Sequence, residues 1–163
     1  MHVEAIGHAK QASDLKAGDC FFFDERKKST FAIRTAEKHG HMASIVFSRE
    51  GERTPMAIVG GLPSTVLVVR GAQIRTEPTS LAFSSSIPLG DILVVENRFY
   101  VAAAFRRIEV VTVNLQTGLT EDVPSTGAYV HFSRWSVGIP DGQRWIPVFD
   151  FPLSAHTQPE AAR

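Results

Sequence analysis

His39 and His41, separated only by Gly40, are the first residues of this chain whose type and spacing suggest chemistry. On an extended segment residues two apart point to the same side, so both imidazoles could reach one transition metal. A metal site needs three or four ligands, and Glu50, the first acid after them, lies nine residues past His41. His39 and His41 are thus the metal candidates, and a polar loop is the plainer reading. Cys20 could act as a nucleophile only with a base beside it and a depressed pKa. Placed directly before Phe21-Phe22-Phe23, it reads instead as a small buried apolar residue. Arg26, Lys27 and Lys28, with Arg34 and Lys38 nearby, could touch phosphates. Asp24 and Glu25 flank that cluster, and the chain as a whole is not basic, so nucleic-acid binding is not expected.

A second candidate lies near the C-terminus, where Tyr129, His131, Ser133 and Trp135 alternate with Val130, Phe132 and Arg134. Period-two alternation describes a strand with two unlike faces. An open aromatic face would make Tyr129, His131 and Trp135, together with Trp145 of the last apolar segment, an interaction surface. The alternative is that Tyr129 and Trp135 pack against the first half of the chain or another subunit. Asp141-Gly142, beside Arg144, reads as a turn, and acid–base chemistry there would need a second polar group supplied by the fold.

The elements that must position these residues are strands. Leu15-Lys16-Ala17-Gly18-Asp19-Cys20-Phe21-Phe22-Phe23-Asp24 is echoed by Ile87-Pro88-Leu89-Gly90-Asp91-Ile92-Leu93-Val94-Val95-Glu96. Each reads as an apolar residue, two spacers, Gly-Asp, four apolar residues and an acid, and a further apolar run follows each. Three consecutive phenylalanines predict a strand covered on both faces. Turns are expected at Gly18-Asp19, within 24–29, at Gly51, at Glu96-Asn97 and at Gln116-Thr117-Gly118. The pattern predicts an all-β protein of two similar small antiparallel β-barrel or β-sandwich units arising from an internal duplication. Residues 1–13 form an N-terminal arm or short docking strand, 14–76 the first unit, 77–86 a Ser/Thr/Pro-rich linker, 87–150 the second unit and 151–163 a tail.

Bulk properties narrow the function classes. At 163 residues, two units of about 70 residues each would be near the lower limit for independent cores and would be expected to share an interface. Hydrophobic content of 44%, with 21% charged residues, is that of a folded soluble protein, and a net charge of zero offers no electrostatic reason to bind nucleic acid or an anionic membrane. The zero hides ten Lys/Arg against seven Asp/Glu in residues 14–76 and five against eight in 77–150, an asymmetry that could steer the units or a partner together. One cysteine excludes an internal disulfide, and Met1 to Ser13 lacks the apolar core of a secretory signal, so the expected compartment is the cytoplasm. No apolar run approaches the roughly 20 residues of a membrane-spanning helix.

Leu-x-x-Gly-Asp before an apolar strand, followed by four more short strands, resembles the start of SH3-like small β-barrels. The resemblance extends over most of the chain as two copies, and it implies fold alone. The acidic loop and paired aromatics of proline-binding members are not seen, so no binding residue carries over. The expectation is a non-enzymatic interaction or assembly module without a cofactor, working through its strand edges and the Tyr129/Trp135 face toward a protein partner or a second copy. The competing expectation is a small enzyme or metal-dependent binder with a site between the units, drawing on His39, His41, His131 or Asp141.

Overall fold

Gly18 and Gly90 each adopt positive φ, 89° and 86°, a conformation that side chains disfavour and glycine does not. Each turns the chain into a strand and donates its N–H across to the next strand, Gly18 to the Arg34 carbonyl and Gly90 to that of Ala102, both at 2.8 Å. These contacts are seen in a computed structural model, which describes residues 7–25, 27–36, 42–47, 54–106, 109–124 and 127–152.

From the first Gly-Asp turn, β2 (Cys20–Glu25) runs antiparallel to β3 (Lys28–Ala36), followed by β4 (Met42–Phe47) and β5 (Met56–Ile58). β6 (Thr65–Val69) returns to pair with β2 on one side and with β1 (Gly7–Gln11) on the other. Within the expected N-terminal arm, residues 7–11 form a strand docked on β6, while Val3 and Ile6 lie outside the described residues. From the second Gly-Asp turn, β9 (Ile92–Val95) passes through Glu96 and Asn97, both at positive φ, into β10 (Arg98–Phe105) and then β11 (Glu109–Asn114). Two successive positive-φ residues match the right-handed twist of a two-residue hairpin. β12 (Tyr129–Phe132) pairs with β9 and with β8 (Leu81–Ser84).

Because β5 and β10 meet in parallel at Met56 and Ala104, all these strands belong to one mixed sheet of eleven, ordered β1-β6-β2-β3-β4-β5-β10-β9-β12-β8, with β11 on β10. A second sheet holds β7 (Gln73–Thr76), β13 (Trp135–Asp141) and β14 (Arg144–Phe151), with β13 in the middle. The chain is all-β, without an α-helix among the described residues. The expected two separate barrel or sandwich units are corrected: among the described residues no barrel closes, and the two halves share one mixed sheet. The Ser/Thr/Pro stretch read as linker contains a short 3-10 turn, Pro78–Ser80, and the strand β8.

Three apolar clusters hold the sheets. The largest joins both halves: Phe31 and Phe47 from the first meet Trp135, Phe149 and Phe151 from the second. Phe31 stacks on Phe149 at 4.2 Å, and Phe47 presents an edge to Trp135 at 5.4 Å. Phe21 and Phe23 face the opposite side, with Leu15, Ala32, Val46, Val66 and Val68, while Phe22 packs toward the shared core. The triple phenylalanine thus packs on both faces, with Phe21 and Phe23 buried on one and Phe22 half-buried on the other. The third cluster, of Leu93, Val95, Tyr100, Ala102 and Tyr129, lies on the outer face of the second half.

The Gly90 turn is locked between these clusters. Its carbonyl accepts the buried Trp135 indole N–H at 2.8 Å, and a Cβ on Gly90 would overlap the Phe151 ring. Gly142, at the β13–β14 tip, also has positive φ but faces open space. Gly90→Ala is expected to cost about 3–4 kcal/mol in urea unfolding, combining positive-φ strain with overpacking, and Gly142→Ala only about 1 kcal/mol.

Candidate interaction surface

Strand β12 has the two faces that its alternation predicts, oriented the opposite way from an open aromatic stripe. Tyr129 and His131 are buried, as is Trp135 at the start of β13, while Val130 and Phe132 on the other side of β12 are half-buried. Tyr129, His131 and Trp135 thus form no exposed surface; the expectation is corrected because the outer cluster and the β13–β14 hairpin cover them. Trp145 is half-buried, with the Arg75 guanidinium 4.0 Å above its ring. That placement shields one face of the indole as a cation–π contact.

His131 spends its polarity inside the fold. Its Nδ1 lies 2.7 Å from an Asp91 carboxylate oxygen, with both side chains largely buried. Burial pushes the Asp91 carboxyl above its ordinary range, and the hydrogen bond and charge of His131 oppose that rise. The pair fastens β12 to the Gly-Asp turn that starts β9. Asp19, the counterpart acid of the first turn, instead accepts the Lys16 backbone N–H at 2.9 Å and pairs with Lys10 at 3.2 Å. Asp141 is exposed at the far tip of β13 and joins neither group.

The remaining chemical candidates do not gather. His39 and His41 lie outside the described residues, and among the described ones no group of three His, Cys, Asp or Glu could hold a metal. Cys20 is buried with its Sγ toward the Gly18 carbonyl, and burial, assisted by the charge of Asp19, pushes its thiol up to about 12. It is a packing residue, as its position before Phe21 suggested. Lys27, at the β2–β3 turn, borders an open cleft of about 400 Å³ whose floor is Ala9, Phe22 and Leu67, with Asp24 on the same rim.

What the fold does present is apolar. Registers place Phe83 beside Val130, Val130 beside Val94 and Val94 beside Phe99 on one face, with Leu81 beside Phe132 in the adjoining row. Phe83 is 74% exposed, Leu81 48% and Phe99 40%. The innermost residues of these rows, Ile92 and Val101, lie in the shared core. The face is therefore the uncovered rim of that core, reaching solvent at β8, where the sheet ends. Sequence reading missed it because a linker composition surrounds it; the signal available was the short alternation of Leu81 and Phe83 with Ala82 and Ser84.

Compared with protein-family models, with curated proteins and with solved structures, the chain matches none. The surface must speak through its own chemistry.

Native Cys20 is expected to react with a disulfide reagent at pH 8 at least about 100-fold slower than in the unfolded chain, since a thiol near 12 holds only roughly one part in 10⁴ as thiolate. The same shift has a sign for stability: the folded chain keeps a proton that an unfolded thiol loses above pH ~8.5, so Cys20 contributes destabilisation as pH rises above that value. Urea titrations between pH 7 and 10 should show a flatter alkaline decline in Cys20→Ala than in the parent.

Proposed function

We propose that this protein is a non-enzymatic interaction module that receives an extended polypeptide segment along β8. The observation that carries the reading is Phe83, three-quarters exposed on a strand whose outer edge pairs with no other strand among the described residues and which holds no charge. A strand edge supplies backbone donors and acceptors for affinity, and alternate side chains beside it supply selection. Natural sheets blunt such edges with charged residues, and the other terminal strands here follow that rule: β1 holds Lys10, β7 Arg75, β11 Glu109, and β14 Arg144 and Asp150. β8 departs from it.

The finer architecture belongs to the same reading. Strand order β1-β6-β2-β3-β4 in the first half is repeated as β8-β12-β9-β10-β11 in the second, each with a Gly-Asp turn before its third strand. These correspondences support descent from two copies of a small SH3-like unit that opened and merged. On that descent β8 is the counterpart of β1, and the cleft over Ala9, Phe22 and Leu67 is the counterpart of the apolar face at Phe83, Val94 and Val130. A protein partner fits this face, nucleic acid does not, and a buried reduced thiol suits the cytoplasm.

Selection of displayed random heptapeptides on the immobilised protein tests the reading. Sequences alternating apolar and small residues should enrich and bind the parent at least ten-fold more tightly than a Phe83→Glu variant with an unchanged unfolding midpoint. Failure to enrich any sequence, or enrichment that Phe83→Glu leaves intact, would remove β8 as the receiving edge.

A further inference from the structure

We infer that the segment β8 receives is β8 of a second copy, paired antiparallel with Leu81 opposite Phe83 of the second copy and Ala82 opposite Ala82. The inference rests on the reading of β8 as a receiving edge and names its partner.

The register follows from which residues of β8 face away from β12. Ser133 donates its N–H to the Ser80 carbonyl at 3.2 Å, which makes Ser80 and Ser133 a hydrogen-bonded pair at the mouth of the β8–β12 ladder. Antiparallel ladders alternate, so Ala82 opposite His131 and Ser84 opposite Tyr129 also turn their N–H and C=O toward β12. Phe83 turns both of its groups outward, and Leu81 its carbonyl, while the Leu81 N–H closes the 3-10 turn on the Pro78 carbonyl. A two-fold axis through Ala82 brings each Phe83 N–H against the Leu81 carbonyl of the other copy, making two backbone hydrogen bonds, one on each side of the axis. Moving the axis to Leu81 or to Phe83 leaves one of the two outward residues opposite position 79 or 85, beyond the ends of the strand. Only the register about Ala82 keeps Leu81 and Phe83 both opposite residues of β8.

Side chains agree with it. Leu81 and Phe83 share a face, so each Phe83 would sit between Val130 of its own chain and Leu81 of the second copy, and each Leu81 between Phe132 of its own chain and Phe83 of the second copy. The apolar rows of the two molecules become one. Ala82 occupies the non-hydrogen-bonded position on the axis, where Cα atoms approach most closely, to about 4.5 Å, and a small side chain is favoured. Charge points the same way. In an isologous contact a charge on the strand faces its own sign near the axis, and Leu81-Ala82-Phe83-Ser84 carries none. A lysine such as that on β1, the opposite end of the sheet, would forbid the pairing.

The contact is small, so the pairing is expected to depend on concentration. Light scattering from about 1 to 300 µM should show the mass rise from 17.9 kDa toward twice that value. Phe83→Glu should weaken the association at least ten-fold. Ala82→Cys, made with Cys20→Ala, should form a disulfide-linked dimer on mild oxidation, while Ser84→Cys in the same background, off the axis, should cross-link at least ten-fold more slowly. A mass of 17.9 kDa at every concentration, association indifferent to Phe83→Glu, or equal cross-linking at the two positions overturns the inference. If the protein stays monomeric yet binds selected peptides through Phe83, the receiving edge stands and only the second copy as its occupant fails.

Discussion

The two halves of this chain hold together through an aromatic cluster in which neither half could bury its own rings alone. Phe31 and Phe47 lie on adjacent strands of the first half and would face solvent without Trp135, Phe149 and Phe151, which the β13–β14 hairpin lays across them. Such ring pairs are each worth about 0.5–1.5 kcal/mol beyond the area they bury. Trp135 is the pivot. Its rings contact Phe47, Phe149 and Phe151, and its indole N–H, which burial obliges to find an acceptor, is satisfied by the Gly90 carbonyl. The turn that starts the second half is thereby tied to the hairpin that covers the first.

Backbone stitching completes what the cluster begins. The Asn114 side chain accepts the N–H groups of Gln116 and Thr117, shaping a turn that delivers Gly118 to the end of β3. There Ala36 donates to the Gly118 carbonyl, Thr120 donates to Ala36, and the buried Thr35 hydroxyl also reaches Gly118. With the parallel contact of β5 and β10, these bonds make one sheet of two halves. The same arrangement denies closure to either half and leaves the sheet with ends. One end, β1, carries Lys10 in an ion pair with Asp19, while the other, β8, is apolar and neutral.

This geometry explains why the surface lies where it does. Near Ile92 and Val101 the face of the second half is covered by the hairpin and is fully buried; farther out, at Val94, Phe99 and Phe83, the cover ends. The opposite face has its own closure, in which His131 and Asp91 satisfy each other beside Leu93 and Tyr129. A buried histidine with a carboxylate at hydrogen-bond distance could be taken for catalytic machinery. Here it fixes β12 against the Gly-Asp turn, and no third polar residue joins it among the described ones.

Local physics was legible in the amino-acid order. The Gly-Asp turns, the Glu96-Asn97 hairpin, the turn at Gly118, the Phe21-Phe22-Phe23 strand that packs on both faces and the all-β class each follow from residue types within a few positions, because φ preferences and period-two patterning are local properties. The same order showed that β12 has two unlike faces, yet it could not say which one turns inward. Both faces hold large apolar residues, and only the arrival of the β13–β14 hairpin and the outer cluster, from distant parts of the chain, buries Tyr129, His131 and Trp135 and leaves Val130 and Phe132 at the rim. Whether the two halves stand as separate units or merge was likewise beyond local reading, since it turns on long-range contacts such as the parallel meeting of Met56 with Ala104 and the bonds of Ala36 with Gly118 and Thr120. Residue types determined the strands and turns; tertiary contacts decided which edge ends the sheet and which apolar face is left exposed.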